Sequence, residues 1–129
     1  MNTARFEAEQ GGYQVSDDPA RLDQAAIYAF LSQSYWAAGR LPHTQLKANR
    51  NSLCFGLYQG QAQVGFARVV TDYASFAYLA DVYVLETHRG KGLARWLMEC
   101  VHAHPSLQGL RRWSLATRDA HGLYEKFGW

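Results

Sequence analysis

Few residues in this 129-residue chain could build a disulfide framework or a metal site. Its two cysteines, Cys54 and Cys100, both fall in apolar, periodic segments. We therefore interpret them as core thiols of a protein in a reducing compartment. His102 and His104 form an isolated pair, and no other spacing typical of metal ligands is present. We expect no metal.

Long apolar runs, a leader segment and clusters of one charge are also missing. Without a signal peptide or a run of membrane length, we expect a cytoplasmic protein with no membrane partner. The net charge of +2 and the pI of about 8.6 suit an anionic small molecule. They are too weak to indicate nucleic acid as a partner. The length predicts a single domain over residues 1–129.

The most informative segment covers residues 82–94, which combine a strand end, a turn with two glycines and the start of a helix. A helix start offers backbone N–H groups and the positive end of the helix dipole, which together hold a phosphate. Gly90 and Gly92 allow the backbone to approach an anion closely. Arg89 and Lys91 add positive charge beside them. This segment predicts a site for a phosphorylated cofactor.

Two common phosphate motifs do not fit this segment. A Walker A loop needs four residues between its first glycine and Gly-Lys-Ser/Thr, and a dinucleotide fingerprint needs Gly-x-Gly-x-x-Gly. The sequence RGKGLA at residues 89–94 instead resembles the pyrophosphate loop of the GNAT N-acetyltransferases, Arg/Gln-x-x-Gly-x-Gly/Ala, at every fixed position. The alternative is an ordinary strand-to-helix turn with basic side chains.

A second segment resembles the other signature of the same family. A strand-like run over residues 113–117 leads into Ala120, the pair Leu123 and Tyr124, and the ending FGW at residues 127–129. Both motifs occur in the family's order, and a strand precedes each. The resemblance covers roughly residues 52–129.

The resemblance implies the α+β (mixed α/β) class and the GNAT acyl-CoA N-acyltransferase fold, a central twisted mixed sheet flanked by helices. Residues 1–11 are polar, and we expect them to be loose, at least at the start. The remaining pattern predicts a strand over residues 12–15, helices over 19–33 and 42–50, strands over 52–58, 62–72 and 76–85, a helix over 93–101, the strand over 113–117 and a last helix.

One departure from the family concerns the end of the chain. Family members usually continue past the Gly-Phe ending with one or two strands, whereas this chain stops at Trp129. Either the sequence is truncated, or the sheet is short and one side of the acceptor site is open. A neighbouring subunit of a homodimer could cover that edge.

The resemblance also implies a function. The implied function is that of an N-acetyltransferase, which transfers the acetyl group of acetyl-CoA to a primary amine of a small molecule, directly in a ternary complex. The alternatives are acetylation of a protein or peptide amine, and a CoA-binding regulatory module without turnover. The cofactor-binding residues that it implies are Val82, Val84, Arg89, Gly90, Lys91, Gly92, Leu93, Ala94 and Thr117. Thr117 stands where the family usually has Asn, so its contact would be a shorter hydroxyl.

For the catalytic groups, the resemblance places Tyr124 close to the CoA sulfur, where a phenol could serve as the general acid. The alternative is a core tyrosine. Asp81 lies on the opposite face of its strand from Val84 and could attract an ammonium group or relay its proton. The polyamine-type relatives carry Glu-Asp here, and this chain has Ala80-Asp81. A hydrogen-bonded, structural carboxylate is the alternative role for Asp81.

Aromatic side chains are candidates for the acceptor pocket. Tyr35 and Trp36 follow the first predicted helix, and Tyr78 lies on the strand that contains Asp81. Such a lining would suit an aromatic or amphipathic amine. The alternative is that these rings simply fill the core.

Overall fold

The computed structural model describes residues 5–34 and 36–115. Within these residues, six strands form one sheet whose strand order follows the chain. The strands are β1 Glu7–Gln10, β2 Tyr13–Ser16, β3 Leu53–Gln59, β4 Ala62–Thr71, β5 Phe76–Val84 and β6 Arg112–Leu115, and the α-helices are α1 Gln24–Leu31, α2 Pro42–Arg50 and α3 Leu93–Ala103.

The sheet is mixed. Strands β1 to β5 pair antiparallel with their neighbours, and β6 pairs parallel with β5. A parallel pair needs a crossover connection, because the chain must return to the same end of the sheet. Helix α3 lies in that connection. The predicted mixed sheet flanked by helices is therefore confirmed.

Helices cover both faces of the sheet. On one face, α3 buries its apolar side chains in the larger hydrophobic cluster, which also contains Phe55, Leu57 and Val69 of the sheet. On the other face, Ile27 and Leu31 of α1 belong to a smaller cluster that includes Cys54, Phe66 and Tyr83 of the sheet. No helix among the described residues is both long and apolar enough to cross a membrane.

The first two strands differ from the prediction. Residues 7–10, which we expected to be loose, form the edge strand β1 and pair with β2. Gly11 and Gly12 connect the strands with φ angles of 58° and 85°, as a two-residue hairpin turn requires. The polar composition that hid this strand is typical of an exposed sheet edge.

The first predicted helix is also divided. Pro19–Arg21 is a single 3-10 turn, and the backbone is extended again at Leu22. The α-helix begins after Asp23, whose side chain accepts a hydrogen bond from the amide of Ala26. A second capping carboxylate therefore restarts the helix, which ends at Leu31. The remaining helices and strands that begin before residue 112 agree with the prediction to within two residues at each end.

Candidate cofactor and acceptor site

The loop between β5 and α3 contains two glycines in the left-handed region. Gly90 and Gly92 have φ angles of 81° and 74°, a left-handed conformation that costs other residues free energy. A Cβ atom on either glycine would have no atom of another described residue within 4 Å, apart from its chain neighbours. Glycine is therefore needed here for its backbone conformation, and no described residue fills the space next to either Cα atom.

The start of α3 presents unpaired donors to that space. Gly92 is the N-cap residue, and no side chain among the described residues caps the helix. The first backbone bond of the helix joins the Trp96 amide to the Gly92 carbonyl at 3.0 Å. The preceding amides of the first turn, with the helix dipole, provide the donor arrangement that binds phosphate groups.

Two side-chain contacts hold the loop against the sheet. The Nε atom of Arg89 donates to the carbonyl of Val84 at 2.9 Å. The Nζ atom of Lys91 donates to the Tyr13 hydroxyl at 3.3 Å, and the same hydroxyl lies 2.9 Å from Nδ1 of His88. The loop is thus fixed to the end of β5 and to β2, and both basic side chains lie near the α3 N-terminus.

On the side away from β4, the strand that feeds the loop has a described partner along its first half only. The described part of β6 pairs with residues 76–79 of β5 only. Val84 is buried in the larger hydrophobic cluster, and Val82 packs against it. Beyond Leu79, the edge of β5 that faces away from β4 has no strand partner among the described residues. The predicted roles of Val82 and Val84 in binding an extended ligand stay predictions.

A β-bulge interrupts β5 at Asp81. The pairing with β4 shifts register between Phe66 and Arg68, and Asp81 has a φ angle of 54°. Side chains normally alternate along a strand, so Leu79 and Asp81 would share a face. The bulge breaks this alternation. Leu79 packs in the cluster beneath α3, whereas the Asp81 carboxylate contacts Arg68 on the opposite face.

The Asp81 carboxylate is buried and fully engaged. Its Oδ2 atom accepts hydrogen bonds from Nε of Arg68 at 2.8 Å, Nη1 of Arg40 at 2.9 Å and Nε2 of Gln45 at 3.2 Å. Its Oδ1 atom accepts one from the Trp36 indole at 3.1 Å. Burial alone would raise the pKa of Asp81. The two guanidinium groups and Gln45 lower this pKa by more than burial raises it, so the pKa is below its usual value. The carboxylate is ionised at neutral pH.

These contacts favour the alternative role for Asp81, a hydrogen-bonded, structural carboxylate. A catalytic role for this residue stays a prediction. Sequence reasoning missed Arg40 and Arg68, although Arg68 carried a signal. It is a charged residue within the apolar strand β4, and such a residue rarely lies inside without a partner. Arg40 carried no comparable signal, because it follows a glycine between two helices.

A polar network extends from this pair of arginines into α2 and α1. Arg40 Nη1 donates to Gln45 Oε1 at 2.6 Å, Gln45 Nε2 to Asn49 Oδ1 at 2.9 Å, and Asn49 Nδ2 to Gln24 Oε1 at 2.9 Å. Gln45 and Asn49 are both buried. The network therefore fixes both helices relative to the bulge of β5.

The two aromatic candidates that the structure describes, Trp36 and Tyr78, lie in different surroundings. Trp36 bonds to Asp81 and remains 37 % exposed beside it. Tyr78 lies further back on β5, where it lines an open groove of about 750 Å³ with Val70, Ser75, Phe76, Arg111, Arg112 and Ser114. Tyr78 pairs with Val70, two residues beyond Arg68, so the groove lies on the sheet face of the arginine pair. Tyr35, Thr117 and Tyr124 lie outside the described residues, and their roles stay predictions.

Comparisons with known proteins identify the family. A model of the acetyltransferase (GNAT) domain matches residues 50–129. A protein of Gibberella zeae, named as a putative acetyltransferase, is 40 % identical over 91 % of this chain and 78 % of its own length. A crystal structure from Xanthomonas campestris, described as a putative acetyltransferase of the GNAT family, is 50 % identical with a TM-score of 0.90, over 94 % of this chain and 86 % of the other.

More distant structures share the fold alone. Glucosamine-6-phosphate N-acetyltransferase of Arabidopsis thaliana is 15 % identical with a TM-score of 0.66, over 91 % of this chain and 90 % of the other. The chain belongs to the GNAT acetyltransferase family.

Proposed function

We propose that this protein is an acetyl-CoA-dependent N-acetyltransferase that acetylates a primary amine of a small molecule in a ternary complex. The observation that carries the proposal is the loop at residues 89–94. Two left-handed glycines there lead into a helix that no described side chain caps, and the same loop contains Arg89 and Lys91. This arrangement fits the pyrophosphate of CoA.

Different residues of this chain would bind different parts of CoA. The amides of Gly90, Gly92 and the first turn of α3 would donate to the pyrophosphate oxygens. Arg89 and Lys91 would supply positive charge, with Arg89 already holding the loop to Val84. The edge of β5 at Val82 and Val84, which no described strand pairs, would bind the amides of the pantetheine arm, as an added strand does.

Acetyl transfer needs a donor to the carbonyl oxygen and an acid for the departing sulfur. We assign the donor to a backbone amide of β5 beside Val84, and the acid to Tyr124. The neutral amine attacks the acetyl carbonyl, a C–N bond forms and the C–S bond breaks. The amine gives up a proton to water or to a base, and the sulfur leaves as a thiol after taking a proton from the tyrosine.

The cysteines support direct transfer without an acyl-enzyme. A nucleophilic cysteine must be a thiolate. Burial raises the pKa of Cys54 to about 12 and that of Cys100 to about 11. Both thiols therefore stay protonated at neutral pH, and neither is suited to accept the acetyl group.

A CoA-binding module without turnover is the second candidate. The observation in its favour is that Asp81, the only acidic residue of β5, is occupied by two arginines. Asp81, the candidate base in that strand, is thus already bound to two guanidinium groups, which favours a protein without turnover.

One experiment separates the two candidates. A panel of primary amines is incubated with acetyl-CoA while released thiol is measured, and CoA is titrated into the protein by calorimetry. Turnover of any amine supports the enzyme. CoA binding without turnover on the whole panel supports the module, and absence of CoA binding contradicts both.

A further inference from the structure

We infer that the acceptor amine carries an anionic group, a carboxylate or a phosphate, which Arg40 and Arg68 bind beside the β5 bulge. This inference rests on the proposed function and names its substrate class. It reverses the sequence-based expectation, in which Asp81 would attract a cationic amine.

The first argument is the charge balance of the cluster. One carboxylate, Asp81, contacts two guanidinium groups, and the other partners of the three side chains are neutral. The described residues therefore leave one surplus positive charge. The side chain of Asp81 is 1 % exposed, that of Arg68 13 % and that of Arg40 24 %. Charges removed from water need a counter-charge, and a second anion would supply it.

The second argument is the set of unused donors. Arg40 uses Nη1 for Asp81 and Gln45, and Arg68 uses Nε for Asp81 and Nη1 for Ser52. No described residue accepts a hydrogen bond from Nε or Nη2 of Arg40, or from Nη2 of Arg68. Neighbouring guanidinium donors suit carboxylate and phosphate oxygens.

The third argument is position. The cluster lies at the bulge, and Asp81 is three residues before Val84, so at most about 10 Å of strand separates the two residues. That span suits a small acceptor with its amine at the acetyl group and its anionic group at the arginines. The opposite sheet face is filled by α3 and the larger hydrophobic cluster. Trp36, partly exposed beside Asp81, provides an apolar surface for the body of the acceptor.

The groove that Tyr78 lines, on the same sheet face, is also positively charged. Its lining contains Arg111 and Arg112 and no carboxylate side chain. Among the described residues that line the groove, the only charged side chains are those of Arg111 and Arg112, which would repel a cationic amine acceptor. An anionic acceptor would be attracted along its whole length.

The test uses product analogues, because their acetylated nitrogen removes differences in amine basicity. N-acetylphenylalanine is compared with N-acetylphenylalaninamide, and N-acetyl-O-phosphoethanolamine with N-acetylethanolamine. Each is titrated by calorimetry into the free and the CoA-loaded protein. We expect at least one anionic member to bind about tenfold more tightly than its neutral partner, as charge-assisted hydrogen bonds imply. The two pairs distinguish a carboxylate from a phosphate.

Three variants assign the preference to the cluster. In Arg40→Gln, Asp81 keeps Arg68, Gln45 and Trp36, so the fold should survive, and the anion preference should fall to about twofold or less. Arg40→Lys retains the charge and should restore most of the preference. Arg50→Gln removes an equal charge from an exposed position of α2 and should leave the preference unchanged.

Equal binding of both members of each pair, no binding of any of them, or a preference that survives Arg40→Gln would overturn the inference. The proposed function fails in a different way. Loss of CoA binding, or lack of turnover on every amine, counts against the function even if the anion preference is present. Efficient acetylation of neutral amines with no anion preference leaves the function standing and removes the inference.

Discussion

The side chain of Arg89 donates from Nε to the carbonyl oxygen of Val84 at 2.9 Å. This bond joins the first residue of the glycine loop to the last residue of β5. The loop and the strand are the two parts of the proposed cofactor site, and the bond fixes their relative position. Arg89 therefore contributes to the shape of the site in addition to its charge.

Replacing Arg89 separates these two contributions. Arg89→Met removes the charge and the hydrogen bond, and we expect the Kd for CoA to rise about tenfold, since a bond from a charged group contributes roughly 1.5–3 kcal/mol. Arg89→Gln retains an amide donor for the Val84 carbonyl and should have a smaller effect. Calorimetric titration with CoA measures both. Equal affinities of Arg89→Met and the wild type would show that the loop needs neither contribution.

Gly92→Ala tests the close approach of the backbone to the cofactor. Alanine at a φ angle of 74° should destabilise the fold by about 1 kcal/mol. Its methyl group would also project into the space above the loop, so the affinity for CoA should fall. Gly109→Ala is the matched control, because Gly109 has a φ angle of 77° and likewise no neighbour within 4 Å.

Urea unfolding should give a similar loss for both glycine variants, while only Gly92→Ala should weaken CoA binding in calorimetry. A similar loss of CoA affinity in both variants would attribute the effect to general destabilisation and would contradict the assignment of the loop.

The parts of the structure that the sequence predicted depend on local signals. The glycines of the loop and the turn at Gly60 have backbone requirements that only a few residue types meet. The bulge at Asp81 depends on tertiary contacts instead. Its left-handed backbone is supported by Arg40 and Arg68, which lie 41 and 13 positions away in the chain. Strand alternation alone could not reveal these partners. The β1–β2 hairpin was predictable from its two adjacent glycines, but polar composition obscured it.

Thiol modification tests direct transfer. Because burial raises the pKa of Cys54 to about 12, we expect iodoacetamide at pH 7.5 to leave turnover within a small factor of the untreated protein. Cys100, with a pKa raised to about 11, should behave likewise. Mass spectrometry of the native protein counts the modified thiols, and the urea-unfolded protein, which should react at both, is the control. Rapid inactivation that acetyl-CoA prevents would indicate an acyl-enzyme instead.

Tyr124→Phe tests the proposed general acid. The substitution retains the ring and removes only the hydroxyl, so packing should survive. Loss of general acid catalysis typically lowers the rate by about 10²–10⁴-fold. We therefore expect a lower kcat with nearly unchanged CoA affinity, measured by thiol release and by calorimetry on the same preparation. A kcat within a small factor of the wild type would make Tyr124 a core tyrosine.

Asp81→Asn tests whether the buried carboxylate supports the structure. Asparagine keeps the shape but removes the counter-charge of Arg40 and Arg68. We expect the free energy of unfolding at pH 7 to fall by about 2–4 kcal/mol, since breaking one side of a buried ion pair is costly and both arginines are partly exposed. Glu99→Gln, which removes a charge from an exposed position of α3, is the control and should change stability little.

The pKa of Asp81 also predicts how the stability difference between wild type and Asp81→Asn changes with pH. The pKa of Asp81 is lowered in the folded protein. Its stabilising contribution is therefore complete above the unfolded pKa of about 3.9 and is lost as the pH falls through the lower folded value. Urea unfolding should show a constant difference between wild type and Asp81→Asn from pH 5 to 8, and a shrinking one below pH 4. Equal stabilities at pH 7, together with a lower kcat and the loss of one ionisation from the pH–rate profile, would instead restore Asp81 as the catalytic base.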